Sequence, residues 1–113
     1  MKKIVYTQRV DVIEGYHERR DCADQRIPEF ISKCGYLPLP LPNIKEIVHS
    51  IVSTLNPDGI VLTGGNSLEG FAGNAPERDA VDSYLISYAI QNNIPVYGFC
   101  RGMQSIMSYF GCK

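Results

Sequence analysis

The chain has 113 residues, of which 44% are hydrophobic and 20% are charged, so length and composition allow one globular domain with an apolar core. Eleven basic and twelve acidic side chains leave a net charge of −1, which argues against a nucleic-acid-binding face and against a polybasic membrane patch. No apolar run is long enough to span a bilayer, and the apolar stretch after Lys2 and Lys3 is too short for a signal peptide.

The cysteines predict the redox state of the protein. Cys22, Cys34, Cys100 and Cys112 are scattered without the close pairs that zinc sites use. A disulfide framework is unusual without secretion, so we predict a reduced, cytoplasmic protein with no metal and no cofactor. The same composition predicts neither a nucleic-acid partner nor a membrane partner.

The first half of the chain predicts two strands and two helices. Residues 3–7 (KIVYT) are β-branched and aromatic, which is typical of a buried first strand. Residues 9–21 are polar and rich in charge and predict a long loop, followed by a helix over about residues 22–33. The segment YLPLPLP alternates, but its prolines cannot donate to a ladder, so it predicts an edge strand or extended chain. Asn43 is a candidate N-cap for a helix over residues 44–55.

The second half continues the alternation of strands and helices. Residues 60–63 (IVLT) follow a turn signal and form an apolar run typical of a central parallel strand. Two glycines end this run, and a polar loop precedes a helix over about residues 77–91. Residues 94–99 predict the last strand, and a helix starts directly after Cys100. The order predicts an α/β protein with a doubly wound, flavodoxin-like parallel sheet and helices on both faces.

Ligand sites in such sheets collect at the carboxyl ends of the strands. Three loops are predicted to meet there: the loop after Thr7, the loop after Thr63 and the turn at Cys100. Each of these loops is polar or rich in glycine. We therefore expect the chemistry of the protein among them.

The sharpest motif is GFCRGMQ, in which Cys100 lies between Gly98 and Gly102. A reactive side chain on a tight turn from strand to helix stands clear of the sheet, and small neighbours make that turn possible. The helix N-terminus favours the thiolate of such a cysteine, and its backbone N–H groups stabilise an oxyanion. A buried, inert cysteine is the commoner arrangement, but the two glycines and the position between strand and helix favour a nucleophile.

The same heptad resembles the nucleophile elbow of class I glutamine amidotransferases, in the variant of their γ-glutamyl hydrolase-like relatives, peptidase family C26. Two segments resemble the family in matching order: DGIVLTGGN, its strand and Gly-Gly loop, and PERDAVDSYLISYAIQNNIPVYGFCRG, the Arg-Asp helix leading to the elbow. In the first half, TQRV and YHERRDCADQR resemble the subgroup of γ-glutamyl-CDP-amidate hydrolases, which serve capsular phosphoramidate synthesis. The resemblance implies the predicted fold and a γ-glutamyl amide hydrolase.

The resemblance also implies a role for each matched residue. Cys100 would attack the γ-carbonyl of a small-molecule γ-glutamyl substrate and form a thioester, and the product would be glutamate. The backbone N–H groups of Gly65 and Arg101 would form the oxyanion hole, and Gly64 and Gln104 would hold the glutamyl group. In the charged loop after the first strand, the candidates for binding the leaving group are Arg9, His17 and Arg19, and an exposed charged loop with no binding role is the competing explanation.

Other polar residues near these motifs have competing explanations. Arg78 and Asp79 resemble the family's Arg-Asp pair, for which ordinary helix-end chemistry competes with a catalytic role. Asn66 and Ser67 are candidates for lining the pocket, but polar residues also simply solvate a loop. The arginines of the first loop suit a nucleotide-like leaving group, because guanidinium groups bind phosphate through paired hydrogen bonds.

A cysteine hydrolase also needs a base that is hydrogen-bonded to the thiol and a group that orients the base. The resembling family places a His and a Glu or Asp after the elbow helix, which here leads to Lys113. His49 is predicted to have a surface or helix-packing role on its helix, and nothing in the spacing orients His17. Residues 1–113 are therefore expected to form the N-terminal portion of a single glutamine amidotransferase-like domain. The base would come from a missing segment, from another chain or from a homodimer partner.

Two other functions stay open at this point. The chain could be a glutaminase domain that passes ammonia to a synthetase partner, which a tightly bound ammonia-consuming protein would favour. It could also be a natural short form that binds γ-glutamyl ligands without cleaving them. A γ-glutamyl electrophile that leaves Cys100 unmodified would favour this last function.

Overall fold

A computed structural model describes residues 1–65 and 75–111 of the chain. The strands are β1 (Lys3–Tyr6), β2 (Arg9–Ile13), β3 (Glu18–Cys22), β4 (Leu37–Pro40), β5 (Gly59–Leu62) and β6 (Val96–Gly98). The helices are α1 (Arg26–Lys33), α2 (Lys45–Leu55), α3 (Pro76–Asn92) and α4 (Arg101–Tyr109). Strands β4, β1, β5 and β6 form a parallel sheet in that order. This arrangement confirms the predicted α/β fold with a parallel sheet.

The core lies between one face of this sheet and helices α2 and α3. Ile60 and Leu62 of β5 point into it and are almost fully buried, because side chains alternate between the faces of a strand. The buried residues of this core are Val5, Leu41, Val48, Val52, Ile60, Leu62, Val81, Leu85, Ile86 and Ala89. On the opposite face, Val61 lines an apolar groove together with Ile31 of α1. Helices therefore lie on both faces, as predicted.

Strand β4 is the edge strand that the prolines of YLPLPLP predict. Leu37 donates its backbone N–H to the carbonyl of Lys2 at 2.8 Å, and Leu41 donates to the carbonyl of Tyr6 at 3.0 Å. The residues between these donors include Pro38 and Pro40, which occupy the positions whose nitrogens face away from β1. Proline is tolerated at such positions because no neighbouring strand needs its N–H.

The long loop predicted over residues 9–21 is wrong, because this segment forms an antiparallel hairpin of β2 and β3. Its register pairs Arg9 with Cys22 and Ile13 with Glu18. A short 3₁₀ turn over Glu14–Tyr16 joins the strands, and His17 closes it with a left-handed backbone at φ 51°. The hairpin therefore stands beyond the end of β1 as a two-stranded sheet of its own.

The hairpin also corrects two predictions about neighbouring helices. Helix α1 begins at Arg26 rather than near Cys22, since Cys22 is the last residue of β3. Asn43 does not cap α2, whose N-cap is Ile44. Instead, the amide of Asn43 donates to the carboxylate of Asp21 at 2.9 Å and to the carbonyl of Gln8 at 2.9 Å. Asn43 thus anchors the hairpin to the chain that leads into α2.

Strand β6 is the other edge of the sheet and is shorter than predicted, since it covers Val96–Gly98 alone. Tyr97 on this strand is 66% exposed, although its ring lies 6.2 Å from that of Phe99. Within the described parts of the chain, no helix combines the length and the apolar character needed to cross a membrane.

Candidate active site

The carboxyl ends of β1 and β5 are tied together by two buried threonines. The backbone N–H of Thr63 donates to Oγ1 of Thr7 at 2.9 Å, and the hydroxyl of Thr63 donates to the carbonyl of Thr7 at 2.7 Å. Gly64 follows directly and lies against Cys100, because a Cβ added to Gly64 would be 3.4 Å from the Cβ of Cys100. The three loops predicted to meet at this end of the sheet therefore do meet.

Cys100 lies at the turn between β6 and α4 in a backbone conformation that residues other than glycine rarely adopt. Its φ is 53° and its ψ is −117°, and the residue is exposed. The turn is closed by the N–H of Gly102, which donates to the carbonyl of Phe99 at 2.9 Å. A non-glycine residue held at positive φ stores strain and is a common feature of functional sites. The geometry is that of a nucleophile elbow, with the thiol presented at the N-terminus of α4.

The two glycines beside Cys100 are required by close packing. A Cβ added to Gly98 would lie 2.8 Å from the carbonyl oxygen of Gly102. A Cβ added to Gly102 would collide with the carbonyl group of Leu62 on β5. Helix α4 can therefore start directly on the sheet only because both positions lack a side chain, which explains the spacing seen in the sequence.

The side chain of Arg101 fastens the start of α4 to α3. It is buried, and its guanidinium donates to the carboxylates of Asp82 and Asp79. Ser105 completes this network with a hydroxyl that donates to Asp82 at 2.6 Å. Burial raises the pKa of Asp82, and the neighbouring guanidinium opposes that rise. The network holds the residue after Cys100 in place, so its backbone N–H has a fixed direction.

The predicted Arg-Asp pair is divided between the two loops of the site. Asp79 binds Arg101 of the elbow, whereas Arg78 donates to the carbonyl of Gly64 at 2.9 Å. Asp82 and Ser105 were not singled out in the sequence. A hint was available for Asp82, which lies four residues after Arg78 on the buried face of α3.

The hairpin brings Arg9 to the Gly-Gly loop. A Cβ added to Gly65 would lie 2.5 Å from the Cβ of Arg9, and Gly65 has a φ of +124° that glycine adopts readily. The guanidinium of Arg9 is paired with Asp11, with 3.1 Å between Nε and Oδ1. His17 is exposed in the turn between β2 and β3, so it lies at the far end of the hairpin from Arg9.

Arg19 connects the hairpin to the start of α3. Its Nε and Nη2 donate to the two carboxylate oxygens of Glu77 at 2.6 and 2.9 Å. The hydrogen bond from Arg19 is the largest influence on Glu77 and lowers its pKa below the ordinary value of 4.5. The pair stabilises the docked hairpin above that ordinary value, and the stabilisation is lost as the pH falls through the lowered pKa.

Acidification is therefore expected to loosen the hairpin before it unfolds the main sheet. Amide hydrogen exchange in β2 and β3, corrected for the intrinsic pH dependence, should accelerate as Glu77 becomes protonated. In Glu77→Gln the hairpin should already exchange faster at neutral pH, and this acid-induced acceleration should be smaller. Glu18→Gln is the matched control, because Glu18 pairs with Arg20 inside the same strand. Equal exchange in Glu77→Gln and the unmodified protein at all pH values would contradict the link.

The remaining candidate residues are placed as follows. Gln104 is exposed in the first turn of α4, and its backbone N–H donates to the carbonyl of Cys100 at 3.2 Å. His49 is exposed on α2 and lies away from the elbow, with 2.6 Å between its Nδ1 and the hydroxyl of Tyr84 on α3. The candidates that lie outside the described residues are Asn66, Ser67 and Cys112. Over residues 1–65 and 75–111, no three His, Cys, Asp or Glu side chains are grouped to hold a metal ion.

Fold and site together define an α/β protein with an exposed cysteine on a tight strand-to-helix turn, beside a Gly-Gly loop at the carboxyl ends of a parallel sheet. The sequence profile of the Peptidase C26 family matches residues 5–113. The chain therefore belongs to the Peptidase C26 family, as the heptad around Cys100 predicted.

Individual relatives agree with this family. The chain is 33% identical over 109 residues to a gamma-glutamyl-CDP-amidate hydrolase of Campylobacter jejuni, a match covering 92% of the chain and 53% of that protein. It is 35% identical over 122 residues to a gamma-glutamyl-gamma-aminobutyrate hydrolase of Escherichia coli O157:H7, covering 95% and 48%. It is also 37% identical over 60 residues to a glutamine-hydrolyzing GMP synthase of Thermosipho melanesiensis, covering 53% and 10%. The chain thus spans about half the length of the two hydrolases.

Proposed function

We propose that this chain carries the nucleophile and the oxyanion hole of a hydrolase that cleaves γ-glutamyl amide bonds. The observation that carries the proposal is the conformation of Cys100. This residue has a φ of 53°, is exposed at the N-terminus of α4 and lies against Gly64. A strained backbone, a helix N-terminus and a close glycine loop are the features that present a thiolate to a carbonyl group.

In the first step, Sγ of Cys100 attacks the γ-carbonyl carbon of the substrate. The carbonyl oxygen becomes an oxyanion, which accepts hydrogen bonds from the backbone N–H groups of Gly65 and Arg101. The C–N bond then breaks, the amine leaves with a proton, and a γ-glutamyl thioester remains on Cys100. The buried pairing of Arg101 with Asp82 supports this assignment, because it fixes the peptide that carries one of the two donors.

In the second step, water attacks the thioester, releases glutamate and restores the thiol. Gln104 and Gly64 are proposed to hold the glutamyl group during both steps. Gln104 lies one helical turn after Cys100 and is exposed, so its amide is available for the polar end of the substrate. Gly64 leaves room for the glutamyl chain, because its missing side chain would otherwise contact Cys100.

The base that deprotonates Cys100 is proposed to lie outside these 113 residues. The chain has two histidines, and one of them, His49, is hydrogen-bonded to Tyr84 between α2 and α3. The other, His17, is at the turn of the hairpin, at the opposite end of β2 from Arg9. The open edge at β6 offers a place where a further segment, a second chain or a homodimer partner would bring the base to the elbow.

The leaving group is proposed to be a CDP-amidate. Two observations support it: the relative named as a gamma-glutamyl-CDP-amidate hydrolase covers 92% of this chain, and the hairpin places Arg9 beside Gly65. Arg9, His17 and Arg19 line the hairpin that the leaving group would pass. Guanidinium groups bind the oxygens of a diphosphate through paired hydrogen bonds. To bind the leaving group in this way, Arg9 would release Asp11, to which it is hydrogen-bonded here.

This assignment predicts the substrate preference of the full-length protein. Glutamate release from γ-glutamyl-CDP-amidate should have a kcat/KM about tenfold or more above that for glutamine and for γ-glutamyl-γ-aminobutyrate. Arg9→Gln should lower kcat/KM for γ-glutamyl-CDP-amidate by about tenfold and leave kcat/KM for glutamine unchanged. Arg26→Gln is the matched control, because Arg26 pairs with Asp24 at the start of α1. Equal hydrolysis of all three compounds would overturn the leaving-group assignment.

A second candidate is a glutaminase domain that supplies ammonia to a synthetase partner. The observation that favours it is the 37% identity over 60 residues to a GMP synthase. Glutamine would then be the preferred substrate, and its hydrolysis would accelerate when the partner is present. A chain that binds these compounds and releases glutamate from none of them would instead be the inactive short form.

A further inference from the structure

A fully buried arginine that the reaction does not use lies beneath the Gly-Gly loop. Arg78 is in the first turn of α3 and is 0% exposed. Its Nη2 donates to the carbonyl of Thr63 at 3.1 Å, and its Nη1 donates to the carbonyl of Gly64 at 2.9 Å. The hydroxyls of Thr7 and Thr63 lie 3.4 Å from Nη2. These hydrogen-bond acceptors are carbonyl and hydroxyl oxygens, while the carboxylates of Asp79 and Asp82 act on the guanidinium without a hydrogen bond among the described residues.

Such an arrangement is costly for stability. Burial lowers the pKa of Arg78 to about 10, and the neighbouring cation of Arg101 adds to this effect. The Nε of Arg78 is buried without a hydrogen-bond partner among the described residues. The arginine is therefore better explained by the direction it gives to the backbone it binds than by the stability it adds.

The direction in which the N–H of Gly65 points follows from peptide geometry. The peptide between Gly64 and Gly65 is trans, so its C=O and N–H groups point in opposite directions. Because the carbonyl of Gly64 is held by Arg78, the N–H of Gly65 faces away from Arg78. A pair of glycines gives little resistance to rotation of the peptide between them, since neither has a Cβ. Without the guanidinium, this peptide could turn and withdraw its N–H.

We propose that Arg78 is a positioning residue that holds the Gly64–Gly65 peptide in the orientation that offers the N–H of Gly65 to the substrate oxygen at Cys100. This inference rests on the proposed function, in which that N–H is one of the two oxyanion donors. Arg78 itself touches neither the substrate nor the thiol. Its hydrogen bonds to the carbonyls of Thr63 and Gly64 hold the loop in one conformation. The pairing of Arg101 with Asp82 fixes the other donor, the N–H of Arg101, in the same way.

The test uses the γ-nitrile analogue of glutamine on the full-length protein. Cysteine adds to this nitrile reversibly, and the thioimidate nitrogen takes the place of the oxyanion in the hole. The nitrile concentration that protects Cys100 from iodoacetamide gives the affinity for the nitrile. The rate of alkylation by iodoacetamide without nitrile reports the accessibility of the thiol, because this reaction needs no oxyanion hole. Arg78→Met should weaken nitrile binding by about tenfold or more and leave the iodoacetamide rate within about twofold. Arg78→Lys, which can bind one carbonyl, should fall between.

The outcomes separate the inference from the function on which it rests. Nitrile that fails to protect Cys100 in the unmodified protein would contradict the proposed function. If the nitrile protects Cys100 equally well in the unmodified protein and in both folded variants, the role of Arg78 is overturned and the proposed function is not. If neither variant folds, amide NMR of the unmodified protein decides. The Gly65 amide and the Arg78 guanidinium signals should then both shift when the nitrile adduct forms. A shifted Gly65 signal with an unchanged Arg78 signal would overturn the role of Arg78, whereas an unchanged Gly65 signal would contradict the oxyanion-hole assignment.

Discussion

Replacing Cys100 with alanine is expected to abolish labelling of the protein by a γ-glutamyl chloromethyl ketone, with a loss of at least roughly 10³-fold in rate. The reagent needs both a thiolate and a site that holds its glutamyl group, and Cys100 is the exposed cysteine at the carboxyl ends of the strands. Alanine has a Cβ and meets the same strain at φ 53°, so the backbone of the elbow should not change. Peptide mapping by mass spectrometry measures the labelled residue.

Cys34 provides an internal control for this experiment. It is exposed, as Cys100 is, but lies at the end of α1, away from the three loops of the site. Iodoacetamide should modify Cys34 at the same rate in both proteins, whereas the γ-glutamyl reagent should modify it slowly in both. Labelling that persists in Cys100→Ala and maps to Cys34 or Cys22 would show that reactivity follows exposure and not the elbow.

Placing a methyl group at Gly102 is expected to destabilise the protein by about 3 kcal/mol or more, because that group has no space. The added Cβ would collide with the carbonyl of Leu62, which belongs to the central strand β5 and cannot move without breaking the sheet. Alanine is favoured over glycine inside a helix by about 1 kcal/mol, so the clash must outweigh this gain. A melting temperature lowered by about 10 °C or more is the expected measurement.

Gly15→Ala is the matched control for this substitution. No atom outside its immediate neighbours lies within 4 Å of a Cβ added to Gly15. The same chemical change should therefore alter the melting temperature little. Equal melting temperatures for Gly102→Ala and Gly15→Ala would contradict the close packing of α4 on β5, and with it the explanation of the motif around Cys100.

The parts of the fold that the sequence predicted are those in which local sterics leave a visible pattern. Strand β5 is a continuous apolar run because both of its faces are covered. The elbow was recognisable because a tight turn requires glycine at positions 98 and 102, where added Cβ atoms would clash with backbone. The edge position of β4 followed from its prolines in the same way.

The hairpin could not be predicted in this way, because its stability depends on distant partners. Strand β3 exposes four of its five residues, so no apolar alternation marks it as a strand. It is held by pairing with β2 and by side-chain contacts of Asp21 with Asn43 and of Arg19 with Glu77, which lie 22 and 58 positions apart in the chain. Single-sequence patterns carry no information about such long-range pairs.

The buried ion pairs were missed for a related reason. Arg101 reaches Asp79 and Asp82 only because α4 packs against α3, and that packing depends on the whole fold. The sequence offered one partial signal, the charged residues Arg78 and Asp82 at helical spacing on an otherwise apolar face. A buried polar residue of this kind indicates that a partner exists, but the partner itself is found in the structure.

Thioester formation between Cys100 and a γ-glutamyl group is tested most directly by mass spectrometry of the acid-quenched protein and its peptides. The full-length protein is mixed with γ-glutamyl-CDP-amidate, quenched in acid within the first turnover and digested, so that any adduct is assigned to a residue. We expect one glutamyl group on the peptide containing Cys100, and we expect hydroxylamine to remove it. Glutamate release without any such adduct, or an adduct on another residue, would contradict thioester formation at Cys100.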